Sequence, residues 1–202
     1  MSATMRPITW VVLALLLLLI IVWFSSRNRP NRNSPQASQS AGSERSGESV
    51  YLGLRDLALR GTPSGKSQDA GVPKAGKPYA VLMDWDIGGG QATVAAYADG
   101  TASVYLSSGG GFLGGGQAHE SIRNAAIKTV EIAGELKGLM HPTAVYPLPQ
   151  RGQVTFYVRT DAEVLTVTVP EEELRSHRSP LYELGDSAQT IITEYRLTQD
   201  QK

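Results

Sequence analysis

Ser107 to Ala118 reads SSGGGFLGGGQA, six glycines set between a hairpin pattern and the longest amphipathic helix pattern in the chain. Upstream, Gln91–Ala98 and Thr101–Ser107 flank Asp99-Gly100, the dipeptide that best tolerates the positive φ angles of a two-residue hairpin turn. Such a turn pairs Tyr97 with Ala102, Ala95 with Val104 and Thr93 with Leu106 on one face. Downstream, Ile122, Ala126, Val130, Ala133, Leu136 and Met140 recur at helical spacing, which predicts a helix over 121–140 bedded on the sheet. Bare backbone N–H groups just before a helix N-terminus suit an anion. Gly109, Gly110, Gly111, Gly114, Gly115, Gly116 and His119 are therefore the candidate ligand-binding residues, with Phe112 and Leu113 as an apolar flap.

Working outward, a second hairpin is written in strict alternation. Val154, Phe156 and Val158 face the same way as Leu165, Val167 and Val169 if Thr160–Glu163 closes the turn with Arg159 opposite Val164. Tyr79–Asp86 reads as a strand. Ser49–Arg60 reads as a short helix, with Ser49 as N-cap, Val50, Leu54, Leu57 and Ala58 as its buried stripe and Gly61 as its stop. A last helix starts at Asp186 and buries Ala188, Ile191, Ile192 and Tyr195. The order α-βββ-α-ββ-α predicts an α+β domain over 49–202: a largely antiparallel five-stranded sheet with helices packed on it. Within it, 61–78 is rich in Gly, Pro and Lys and reads as a mobile loop.

The N-terminal quarter has a different composition. Ile8–Phe24 is seventeen residues without a charge, bracketed by Trp10 and Trp23, and spans about 25 Å as a helix. It reads as a single transmembrane anchor over 1–24, the membrane being one partner. Residues 25–48 are polar enough to stay a disordered tether. Arg27, Arg29 and Arg32 after the span place the C-terminal domain on the cytoplasmic side of a bacterial inner membrane by the positive-inside rule. From Tyr79 onward nine Lys/Arg stand against fifteen Asp/Glu, which excludes a phosphate-backbone binder, so no nucleic-acid partner is expected. The absence of cysteine excludes disulfides, thiolate metal sites and a cysteine nucleophile.

Several motifs carry chemistry only in part. GTPSGKS at Gly61–Ser67 has one residue too few for a phosphate-binding P-loop and follows a helix instead of a strand. Gly109, Gly111 and Gly114 fit G-x-G-x-x-G, but their strand belongs to an antiparallel hairpin, outside the parallel unit in which that fingerprint works. Asp84 and Asp86 resemble the first-strand acids of ribonuclease-H-like nucleases. With His119 they make the alternative reading, a metal-dependent phosphoester or nucleotide hydrolase with these three as catalytic residues.

The run from Asp99 through Gly111, then His119-Glu-Ser-Ile-Arg, then Tyr146-Pro-Leu-Pro and Phe156-Tyr-Val, resembles a group of uncharacterised bacterial proteins over roughly 82–197. The resemblance implies a bacterial source and brings no activity, cofactor or catalytic residue. The favoured reading is a membrane-tethered small-ligand-binding or protein-interaction domain, without cofactor.

Overall fold

Strand β6 (Gln153–Thr160) and strand β7 (Val164–Pro170) pair in the register that their alternation predicts, with Val154 opposite Val169, Phe156 opposite Val167 and Arg159 opposite Val164. The computed structural model describes residues 37–61 and 76–199, with side chains from residue 47 onward. Three strands precede the hairpin: β1 (Pro78–Asp86), β2 (Gln91–Tyr97) and β3 (Ala102–Leu106). Two short ones complete the sheet, β4 (Gly111–Leu113) and β5 (His141–Pro142). Every pairing is antiparallel, and the order is β4-β3-β2-β1-β6-β7-β5.

The α+β class holds, but the expected five strands are corrected to seven. One added strand comes from the glycine run itself, whose Gly111, Phe112 and Leu113 pair with Tyr105, Val104 and Ser103. Glycine is a poor strand former, so composition hid it. The other, His141–Pro142, is only two residues long and falls in 141–149, which its three prolines mark as an extended connection.

The first hairpin is shifted by one residue from its expected register, with Val94 opposite Val104 and Thr93 opposite Tyr105. Gly100 N–H donates to Tyr97 O and Tyr97 N–H to Thr101 O, so the loop has three residues and Gly100, at φ 85°, is its bulge. Ser107-Ser108-Gly109 repeats the device: Gly109 N–H donates to Leu106 O, Leu106 N–H to Gly110 O, and φ at Gly109 is 93°.

Helix α1 (Ala37–Arg60) lays its stretch from Tyr51 to Leu59 on one face of the sheet. On the other lie α2 (Glu120–Leu136) and α4 (Tyr182–Gln199), joined by a buried Thr129–Ser187 hydroxyl pair at 2.8 Å. A short α3 (Glu171–Arg175) leads into α4. Ala188, Ile191, Ile192 and Tyr195 are buried as expected. Helix α1 begins well upstream of Ser49, and a Cβ at Gly47 would stand 3.3 Å from the backbone nitrogen of Gly109. Its buried stripe is Tyr51, Arg55, Ala58 and Leu59, while Val50 and Leu57 are 59% and 65% exposed.

The membrane expectations are corrected as well. Among the described residues no helix is long and apolar enough to cross a membrane, so a single-pass inner-membrane protein is not supported. Ile8–Phe24, on which the anchor was placed, lies outside the described residues, as do 62–75 of the expected loop and 25–36 of the expected tether. Residues 41–202 form one compact unit.

Candidate functional site

Asp84 sits in a strand whose neighbours Met83 and Trp85 point to the α2 side, so alternation turns its carboxylate towards α1. It is fully buried there. Arg55 meets it from α1: Nε and Nη2 both donate to Asp84 Oδ2, at 2.8 and 2.5 Å. The same guanidinium donates from Nη1 to Tyr146 O at 3.1 Å and from Nη2 to Pro147 O at 3.3 Å. The Tyr157 ring lies 5.5 Å from its central carbon. On the other side Thr93 Oγ1 donates to Asp84 Oδ1 at 2.6 Å. That uses the only hydroxyl hydrogen of Thr93, so Tyr51 OH, 3.0 Å away, is the donor to Thr93.

Burial pushes the Asp84 carboxyl up, against the pull of the Arg55 guanidinium and the Thr93 hydroxyl. Burial also opposes the Arg55 charge, but the hydrogen bonds and charge of Asp84 outweigh it and hold Arg55 above its ordinary value. Tyr51 is pushed up to about 12, first by burial and then by the Asp84 charge. A second arginine fastens the far end of the helix. Arg159, opposite Ala80 on β1, donates to Ala58 O and Gly61 O, both at 2.7 Å, where the helix carbonyls lack partners.

The residues read as candidates are not brought together. Asp86 lies at the Gln91 end of β1, where it accepts from Gly88 N–H and Gln91 Nε2. His119 precedes α2 beside Gly115, and Gly116 rests on Gly100 O at the opposite end, beside Tyr79. Seven residues of strand, about 23 Å, separate Tyr79 from Asp86. Among the described residues no three His, Asp or Glu side chains stand close enough to hold a metal ion.

The glycine run divides in the same way. Gly109 and Gly110 turn the chain at the Gln91 end, while Gly114, Gly115 and Gly116 turn it back at the Gly100 end. Gly115 N–H donates to Tyr195 OH at 2.8 Å, Gly114 N–H to Ser103 Oγ at 3.3 Å, and His119 N–H to Gly115 O at 3.1 Å. A Cβ at Gly111 would stand 2.1 Å from Val104 O, one at Gly116 1.8 Å from Gly100 O, and one at Gly115 2.3 Å from the Tyr195 ring. Close packing accounts for these three glycines.

A groove of about 330 Å³ runs between α2 and α4, with Lys128, Glu183 and Asp186 on its rim. Burial raises the Asp186 carboxyl, opposed by the charges of His177 and Lys128. Its rim carries both signs and favours no one ligand charge.

Sequence reasoning missed Arg55, because a charged residue in an amphipathic helix is assigned to solvent by default. A signal was present: Tyr51, Arg55 and Leu59 stand at i, i+4 spacing, and Asp84 interrupts the apolar run from Tyr79 to Trp85. Comparison with protein families, curated proteins and solved structures finds no match to this chain.

Proposed function

We propose that this domain is a protein-interaction module whose contact surface is the outward side of α1. Gly53 carries the reading. A glycine inside a helix costs about 1 kcal/mol relative to alanine, and it leaves room for something to come close. Gly47 uses that room within the domain, against the backbone of Gly109, and Gly61 lies past the helix end, against the carbonyl of Leu57. Gly53 has no such neighbour: among the described residues nothing lies within 4 Å of the place its Cβ would take. Three residues before it and four after it, on the same side of the helix, stand Val50 and Leu57, both exposed. An apolar pair flanking bare backbone receives the ridge of a second helix at short range. Val145, 69% exposed, and Leu148 also stay in solvent on the loop that Arg55 grips.

The chain has no cysteine, so Leu57→Cys gives it a single thiol for a benzophenone maleimide. Irradiation of the labelled full chain in extract of its host is expected to give a discrete adduct. A Glu172→Cys control, on an exposed position of α3, should give none. Equal adducts at both positions, or none at 57, reject the module.

A further inference from the structure

Four groups converge on the Arg55 guanidinium, and none of them belongs to the helix that carries it. The carboxylate of Asp84 comes from β1, the carbonyls of Tyr146 and Pro147 from the loop between β5 and β6, and the Tyr157 ring from β6. Together they accept four of the five N–H hydrogens of the group and offer an aromatic ring beside it.

These groups are also fixed independently of the arginine. Asp84 Oδ1 is held by Thr93, Tyr157 OH donates to Pro147 O at 2.6 Å, and Tyr146 meets Tyr157 edge-on with centroids 5.6 Å apart. Such preorganisation is what a binding site needs and what a simple buried ion pair lacks.

We propose that Asp84, Tyr146 O, Pro147 O and Tyr157 form a recognition site for an arginine side chain, which α1 fills in cis as a tethered ligand. The chemistry selects a guanidinium over an ammonium. Three nitrogens fan out to a carboxylate and to two carbonyls on separate residues, a spread that a compact ammonium cannot reach at once. An alkylguanidinium from outside the helix therefore fits the same pocket once Arg55 is withdrawn.

The test uses the full chain carrying Arg55→Ala, melted in ethylguanidinium chloride and in ethylammonium chloride at equal ionic strength. Ethylguanidinium at about ten times its dissociation constant is expected to raise the melting temperature by roughly 3–6 °C, saturably. Ethylammonium should leave it unmoved, and so should ethylguanidinium in the Arg55→Ala/Asp84→Asn chain. Equal rises in the two salts, or a rise that survives Asp84→Asn, overturn the site. If Arg55→Ala does not fold, refolding is run in both salts: a cooperative melt regained only with ethylguanidinium is the expected result, and recovery in neither overturns it. Arg55→Lys keeps the charge without the fork and is expected to stay destabilised; wild-type stability in that variant would also refute the site.

Discussion

Strands β1, β2 and β6 turn Val81, Met83, Val94, Phe156 and Val158 towards α2 and α4, and turn Leu82, Asp84, Thr93, Tyr157 and Arg159 towards α1. The first set is an ordinary apolar layer, held by area removed from water and tolerant of any shape that fills it. The second mixes Leu82, Ala95 and Leu59 with two buried arginines and one buried carboxylate. Desolvating those charges uses up most of what their attraction returns, so the network adds little net stability. What it adds is address. An apolar stripe can slide or rotate by a turn on a greasy face, whereas Arg55 has one place to go.

The sharpest way to break the comparison is to remove one partner from each face. Asp84→Ala strands Arg55 in a buried site and is expected to cost about 3–5 kcal/mol of unfolding free energy in urea. Phe156→Ala, on the opposite face, should cost a similar amount through its cavity. The two are told apart by a second substitution. Arg55→Met added to Asp84→Leu should bring back most of the stability, while no single change elsewhere refills the Phe156 cavity. If the double variant is as unstable as Asp84→Ala, the address argument fails.

Alkali acts on the α1 face. Tyr51 and Tyr97 both face α1, and each is raised to about 12, Tyr51 by burial and then the Asp84 charge, Tyr97 by burial and then Tyr105. A phenol whose folded pKa lies above its unfolded value of about 10 binds its proton more tightly when folded. Its contribution is fully present below pH 10 and is lost as pH rises through 12. A loss on the order of 2 kcal/mol is expected from Tyr51, read as a fall in urea midpoint between pH 9.5 and 12. Tyr51→Phe should flatten that fall; an unchanged profile would mean that the Tyr51 hydroxyl titrates normally.

The apolar side also carries a polar handle between helix and sheet. Tyr195 OH donates to Ala102 O at 2.6 Å and accepts from Gly115 N–H at 2.8 Å, and its ring stacks on Phe112 at 4.8 Å. Tyr195→Phe leaves both backbone groups without their partner and should cost about 1–2 kcal/mol. If it costs nothing, water replaces the hydroxyl and the turn before α2 does not depend on α4.

What could be read in advance follows the same division. The hairpin of β6 and β7 was legible because each inward side chain is large and apolar, so one register alone turns all of them to the same face. The last helix was legible for the same reason. The hairpin of β2 and β3 slipped because Ala92, Ala95, Ala96 and Ala102 fit either face, which leaves the turn to decide, and a glycine at φ 85° serves a two-residue or a three-residue loop equally. The glycine run gave no hint that it would pair as a strand. The buried stripe of α1 was only half legible: Leu54 and Ala58 do pack on the core, but Val50 and Leu57 face out, Arg55 disguised the rest, and the Asp84 pocket went unseen with it. Apolar burial leaves a period in the sequence, whereas a charge pair formed between residues 29 apart leaves none.

Gly53→Ala and Gly134→Ala test whether the two faces unfold together. Each replaces a glycine inside a helix, one in α1 and one in α2, and among the described residues neither new methyl group meets an obstacle: at 53 none of them lies within 4 Å, and at 134 the nearest atom is Pro78 Cδ at 3.7 Å. The propensity gain is the same for both, up to about 1 kcal/mol. If Arg55 and Arg159 couple α1 to the sheet through the whole transition, the two variants raise the main melting temperature by the same few degrees. If α1 leaves its pocket before the sheet melts, Gly134→Ala still raises the main transition, but Gly53→Ala leaves it unmoved and slows only amide exchange within α1. The hydrogen bonds from both arginines to carbonyls at either end of the docked surface predict equal shifts, and a silent Gly53→Ala would show α1 to be a separately melting ligand of the sheet.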